Sequence, residues 1–283
     1  MESELLGRWD LMVGPAEDQF PSWVELTQGG GRFVGRFGSA RPLASASIEG
    51  DYVAFRLPKQ YERRETELTF EGTLVDGRLV GTTVLDDGTE GAWVGVRAPE
   101  LPSFTPTFGE PIELIGSDLS GWTARWDDLA NKWSIEDGML VNSAAGTDLV
   151  TTEKFSDFRL VAEYRYPKGS NSGIYLRGRY ELQILDDYEG APNGVGNSGA
   201  IYGFLAPTTN SINPPEAWNT AEITLLGRWI TVVLNVVTII DRQEIPGITG
   251  GALDSAEGEP GPILVQGDHG PVTFRRLTLY PAT

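Results

Sequence analysis

The residues best equipped for chemistry lie in one run, Asn171-Ser172-Gly173-Ile174-Tyr175-Leu176-Arg177-Gly178-Arg179-Tyr180-Glu181-Leu182-Gln183-Ile184-Leu185-Asp186. Polar and aliphatic residues alternate on both sides of Gly178, the pattern of two strands joined by a short turn. A three-residue loop over Gly178 to Tyr180 sets Arg177 opposite Glu181 and Tyr175 opposite Gln183. Tyr175, Arg177, Glu181 and Gln183 then share one face, and Ile174, Leu176, Leu182 and Ile184 the other. A two-residue loop would slip the register by one and place Arg177 among leucines. A guanidinium, a carboxylate and an amide on one face, backed by branched aliphatics, suit a strand pair that faces a ligand. A merely solvated face more often carries Lys, Thr and Glu.

Other groups add to this row. His269, the single histidine, sits in Gln266-Gly267-Asp268-His269-Gly270-Pro271. It is the side chain whose resting pKa suits proton transfer near neutrality, and Asp268 beside it raises its basicity. Trp218-Asn219 after Pro214-Pro215 offers an indole to stack on a pyranose face and an amide to bond its hydroxyls. Its alternative is core packing. Asp186-Asp187 with Glu189 and Asn193 has the oxygen donors of a Ca²⁺ site, the alternative being a solvated acidic loop. No other cofactor is expected: there is no glycine-rich phosphate loop, no metal-binding His pair and no Ser-His-Asp spacing. Glu181-x-Gln183-x-x-Asp186 is similar to the Glu-x-Asp-x-x-Glu strand of sandwich-fold glucanases, in which a bulge turns both outer carboxylates to one face.

The elements that must position these groups are strands. Runs such as Trp23-Val24-Glu25-Leu26 and Tyr52-Val53-Ala54-Phe55-Arg56-Leu57 are separated by Gly and Pro, and Asp76-Gly77 marks a hairpin turn. With Gly7-Arg8-Trp9 at its start, the region 1–98 reads as a small lipocalin-like antiparallel β-meander or barrel, and nothing in it suggests chemistry. Three prolines in residues 99–106 form a stiff connector. From 107 to 283, Trp133-Ser134-Ile135-Glu136, Phe158 to Tyr166 and Thr220 to Leu226 alternate, and no helical period is sustained. Two packed sheets in a jelly-roll sandwich follow. The fold class is all-β.

Composition narrows the function. A net charge of -18 over 283 residues repels phosphate backbones and anionic lipid, so nucleic acid is excluded as a partner and a neutral sugar is acceptable. No apolar run approaches the ~20 residues of a spanning helix, so no membrane insertion is expected. The absence of cysteine removes thiol chemistry. Met1-Glu2-Ser3-Glu4 shows no signal peptide, which fits the cytoplasm, or the periplasm or exterior if an export signal has been removed.

Several ordered motifs carry a family resemblance: Trp133-x-x-Glu136-Asp137-Gly138, Leu149-Val150-Thr151-Thr152-Glu153, Asn171 to Arg177, Tyr180-Glu181-x-Gln183-Ile184-x-Asp186, Gly199-Ala200-Ile201-Tyr202, Trp218-Asn219, Glu259-Pro260-Gly261-Pro262-Ile263 and Gln266-x-x-His269-Gly270. Together they resemble the 3-keto-disaccharide hydrolase family over essentially all of 107–283. The resemblance implies a concanavalin A-like β-sandwich and action on glycosides oxidised at C3. Asn235-Val236 stands where that family tends to have Asn-Gly, and Arg275-Arg276 where it tends to have Arg-Asn. On this reading Glu181 or His269 is the base, Arg177 the oxyanion donor, and Asp186 the acid if a bulge turns it inward. Asn171, Tyr175, Gln183, Tyr202, Trp218, Asn219 and Gln266 are the candidate sugar contacts. Two other readings stand beside it: a carbohydrate-binding module without turnover, and a glucanase using Glu181 and Asp186 on unoxidised glycans.

Overall fold

The structure, a computed structural model, describes residues 4–16, 18–34, 40–57, 68–84, 88–102, 104–190 and 194–283. Of the residues named above, Met1 to Ser3 and Asn193 lie outside these, as does position 103 of the connector. The described residues are in strands and turns, with no helix long and apolar enough to cross a membrane. Contacts divide the chain into two units, one of residues 1–100 with Gly247–Glu257, the other of 101–246 with 258–283.

The first unit carries β1 (Gly7–Val13), β2 (Phe20–Thr27), β3 (Gly30–Val34), β4 (Arg41–Pro42), β5 (Ser45–Glu49), β6 (Tyr52–Leu57), β7 (Leu68–Val75), β8 (Arg78–Val84) and β9 (Glu90–Arg97). They form one antiparallel sheet in the order β4-β3-β2-β1-β9-β8-β7-β6-β5. Leu43 N–H donates to Gly31 O on β3 and Ala44 N–H to Arg56 O on β6, so adjacent residues tie the two ends and the meander closes into a barrel. Asp76 (φ 51°) and Gly77 (φ 75°) make the hairpin turn between β7 and β8. The interior is filled: the rings of Phe33, Phe55, Phe70 and Trp93 pack with centroids 4.9–6.1 Å apart, Phe55 stacked on Phe70 and both edge-on to Trp93. Segment Gly247–Glu257 belongs to this unit although it is remote in sequence. Trp23 Nε1 donates to Ile248 O (3.0 Å), and the buried Glu257 carboxylate pairs with the Arg8 guanidinium.

The second unit is a β-sandwich of the jelly-roll type. Its strands are β10 (Ile112–Glu113), β11 (Trp122–Ala124), β12 (Trp133–Glu136), β13 (Met139–Asn142), β14 (Leu149–Thr151), β15 (Phe158–Arg165), β16 (Asn171–Leu176), β17 (Tyr180–Leu185), β18 (Asn219–Leu226), β19 (Trp229–Leu234), β20 (Val237–Glu244), β21 (Leu264–Val265) and β22 (Val272–Pro281). One sheet has the order β12-β13-β22-β15-β18-β19-β20, with β10 on β22; the other is β11-β14-β21-β16-β17. All pairings are antiparallel. Period-two alternation sends one side of each strand to the core: Leu149, Ile174, Leu176, Leu182, Ile184 and Val265 from the smaller sheet, Leu140, Phe158, Leu160, Ile223 and Phe274 from the larger.

Candidate active site

The hairpin β16–β17 differs from expectation by one step. Tyr175 pairs with Glu181, Gly173 with Gln183 and Leu176 with Tyr180, so the loop is Arg177-Gly178-Arg179 and not Gly178 to Tyr180. Two features move it. Arg177 (φ 53°) and Gly178 (φ 67°) both take the left-handed conformation that starts the turn, and the fully buried Tyr180 ring must lie on the aliphatic face with Leu176. Tyr175, Glu181 and Gln183 still share a face, because both registers keep that parity. Arg177 leaves it. Its guanidinium donates to Gly227 O, lies 5.4 Å from the Tyr180 ring centre and is 3.8 Å from Asp157, so it braces the loop and is no oxyanion donor beside Glu181.

Direct partners in an antiparallel ladder point to the same side. The pairs Thr123–Val150, Val150–Leu264, Leu264–Tyr175 and Tyr175–Glu181 therefore form one row across five strands. The next row on the same face follows from Arg125 N–H donating to Asp148 O (2.9 Å), Gln266 N–H to Gly173 O (2.9 Å), and the Gly173–Gln183 pair. Continuing the β14–β21 register by one residue sets Asp148 beside Gln266. Residues Gly199–Tyr202 run along the free edge of β17: Tyr202 N–H donates to Glu181 O (3.0 Å) and Gln183 N–H to Ala200 O (3.0 Å). The second row, Arg125, Asp148, Gln266 and Gln183, is polar except at Gly173, where a side chain is missing.

Glu181 occupies that gap. A Cβ on Gly173 would lie 2.6 Å from Glu181 Oε1, so only glycine leaves the carboxylate its place. Tyr175 Oη donates to Glu181 Oε2 (2.9 Å). With its amide nitrogen turned to the surrounding acceptors, Gln183 donates to Ser172 O (3.0 Å) and Glu181 Oε1 (3.2 Å). Glu181 is 5% exposed, and burial pushes its carboxyl up to about 8, against smaller downward effects of the Tyr175 bond and the His269 charge. Burial, then the Glu181 charge, raises the Tyr175 phenol well above its ordinary value, keeping it a donor. His269 bonds Asp268 through Nδ1, and this bond raises the imidazole above its ordinary value, with added pull from Glu181 and Asp148. Gln266 Oε1 and Asn171 Oδ1 are buried acceptors with no partner among the described residues.

Several expected residues lie elsewhere. Asp186 does not face inward, because β16–β17 pairs without a bulge; its carboxylate accepts from Gly169 N–H (2.6 Å). That removes Asp186 as the partner carboxylate of Glu181 in a glucanase mechanism. Asn219 starts β18 of the larger sheet, and Trp218 directly precedes it. Arg275 and Arg165 lie 4.4 and 5.1 Å from the Trp218 ring centre. Asn219 Oδ1 accepts from Asn213 N–H and Asn235 Nδ2 (both 2.8 Å), so it is a buried structural amide. For calcium, Asp187 Oδ2 accepts from Asn197 Nδ2 and Ser198 N–H, and among the described residues no three acidic or histidine side chains converge as a metal site. Arg125 and Asp148 escaped the sequence reading. The available signal was an acid directly before a buried β-run, Asp148-Leu149-Val150-Thr151.

The site is thus a buried carboxylate and amide acceptors on one face of a β-sandwich, with a histidine–aspartate pair in the adjoining loop. The sequence profile described as the 3-keto-alpha-glucoside-1,2-lyase-like domain matches residues 110–280, and the chain belongs to that family. A curated 3-keto-disaccharide hydrolase of Bacteroides thetaiotaomicron is 27% identical over 143 aligned residues, covering 38% of this chain and 49% of that protein, so the match spans about half of the relative's length. A crystal structure of a candidate glycosyl hydrolase from Parabacteroides distasonis has 28% identity and a TM-score of 0.51, covering 64% of this chain and 92% of that one. A second candidate glycosyl hydrolase from that organism shares the fold at 20% identity and a TM-score of 0.50, covering 60% and 92%.

Proposed function

We propose that this chain cleaves glycosides carrying a ketone at C3, by removing the C2 proton, expelling the C1 substituent and adding water back. The observation that carries the proposal is Glu181: a carboxylate buried over Gly173, held by Tyr175 and pushed up to about 8. A base of that strength suits a carbon acid at neutral pH far better than an ordinary carboxylate.

A ketone at C3 acidifies the C2–H bond, because the electron pair left on C2 delocalises into the carbonyl. Glu181 as carboxylate takes that proton. The enolate then collapses: a C1=C2 double bond forms, the C3 carbonyl returns, and the C1–O bond breaks. The departing oxygen takes a proton from the imidazolium of His269, whose charge Asp268 favours. Water then adds: its oxygen bonds C1, the proton it loses goes to the neutral imidazole of His269, and Glu181 returns its proton to C2, so the net change is hydrolysis. The lyase-like description of the family supports the elimination half, and the hydrolase name of the curated relative supports the addition half. Gln266 Oε1 and Asn171 Oδ1 are acceptors for ring hydroxyls, with Gln183 and Tyr202 alongside.

The test is a panel of glucosides paired with their 3-keto forms, with and without chelator, on the native protein and Glu181→Gln. Turnover of the 3-keto member alone is expected, with a loss of about 100-fold or more in Glu181→Gln. Full activity in that variant overturns the assignment of the base. Binding of sugars without product over long incubation identifies a binding module, and cleavage of the unoxidised partner identifies a glucanase-type reaction.

A further inference from the structure

We propose that Asp148, balanced by Arg125, is a positioning residue that clamps the Gln266–Gly270 loop and sets the electric field in which Glu181 and His269 exchange protons. The inference rests on the reaction proposed above for its meaning, but its geometry stands alone.

Asp148 is 1% exposed, a position where an aspartate must be paired to be tolerated. Each of its carboxylate oxygens has a partner. Oδ1 accepts the Gly267 N–H (2.8 Å), and Oδ2 accepts from Arg125 Nη1 (3.2 Å). Arg125 is itself fixed, its backbone bonded to Asp148 O and its guanidinium 4.4 Å from the Trp126 ring centre. The same loop is gripped from the other sheet: Asn142 Nδ2 donates to Gly267 O (3.2 Å) and to Gly270 O (2.9 Å). Gly267 has no room for a side chain, a Cβ there lying 2.4 Å from Thr147 O and 2.6 Å from Trp133 Nε1. So the backbone on both sides of Asp268 and His269 is held by buried groups, while the imidazole reaches solvent, its side chain 48% exposed. An exposed side chain on a clamped backbone is the arrangement of a group that must meet a ligand in one orientation.

The charge of Asp148 acts on both proton carriers. The groups facing Glu181 are Tyr175 from β16, Asp268 and His269 from the loop after β21, and Asp148 before β14; those facing His269 are Asp268, Glu181 and Asp148. In each set Asp148 favours the protonated form. Asp148→Asn keeps an oxygen for the Gly267 N–H but removes the charge, so both groups release protons more easily.

His269 is the single histidine, so its ring resonances report its titration without any substrate. In Asp148→Asn the NMR-determined pKa of His269 is expected to fall by about half a unit or more. The kcat/KM profile on a 3-keto-glucoside is expected to shift to lower pH by a similar amount. Arg125→Gln, at a partly exposed position, keeps Asp148 and removes its counter-charge, so His269 is expected to move the opposite way. A His269 titration unchanged in both variants overturns the proposal, as does a loss of activity in Asp148→Asn with no shift of the profile, which marks a merely structural aspartate. If no 3-keto-glucoside is turned over at all, the reaction proposal fails while the NMR shift still tests the clamp.

Discussion

Replacing Glu181 by glutamine should do two opposite things: abolish turnover and stabilise the fold, the second effect growing with pH. Glu181 titrates near 4.5 when unfolded and at about 8 when folded. The folded state therefore binds the extra proton between those values, and stability falls as pH rises through that window. At about 1.4 kcal/mol per unit the full separation corresponds to roughly 5 kcal/mol. Glutamine keeps the Tyr175 bond but turns an amide nitrogen toward Gln183, a loss of about 1 kcal/mol. At pH 5, where Glu181 is protonated in the folded state, Glu181→Gln should match the native protein within about 1 kcal/mol. At pH 9 it should exceed it by about 2–4 kcal/mol, or about 2–4 °C in Tm per kcal/mol. Urea titrations of both proteins at pH 5, 7 and 9 measure this; the comparison cancels the groups that do not feel Glu181, and its coupling to His269 and Tyr175 stays in the difference. A stability difference independent of pH would refute the claim that a proton is held on this carboxylate in the folded protein.

Gly173→Ala places a methyl 2.6 Å from Glu181 Oε1, so kcat/KM should fall at least about tenfold while thermal unfolding changes little; an unaffected rate would mean that the carboxylate is free to move. Arg177→Met should behave in reverse, losing about 2–4 kcal/mol because the buried guanidinium leaves Gly227 O and Asp157 without it, while the kinetic constants of the folded protein stay within a few-fold. Val236→Gly should add about 1 kcal/mol: the β-branched residue sits at φ 64° beside Asn235 (φ 48°) in the β19–β20 turn, a conformation glycine adopts freely, and equilibrium unfolding at one pH suffices to check it.

The β architecture was readable because strands leave a period of two and turns demand particular residues, as at Asp76-Gly77. The shared face of Tyr175, Glu181 and Gln183 was readable for the same reason, since parity survives either placement of the loop. The loop itself was not. Whether the turn begins at Arg177 or Gly178 depends on the buried pocket for Tyr180 and on Gly227, fifty residues away, which no local pattern encodes. Arg125 and Asp148 stayed hidden because β11, β14 and β21 meet by non-local pairing, and an isolated acid carries no sign of the strand it will lie beside. For Trp218 the sequence allows either a sugar platform or core packing; the guanidiniums beside its ring come from Arg165 and Arg275, distant in the chain.

Segment Gly247–Glu257 has a practical corollary for gene engineering. A scissor cut at the proline-rich connector severs the barrel from the peptide that supplies Ile248 to Trp23 and Glu257 to Arg8. Recombination that trades the amino-terminal cassette must trade this inserted stretch in the same event, or leave an orphaned acid and a vacated tryptophan partner behind. The two pieces are heritable only together.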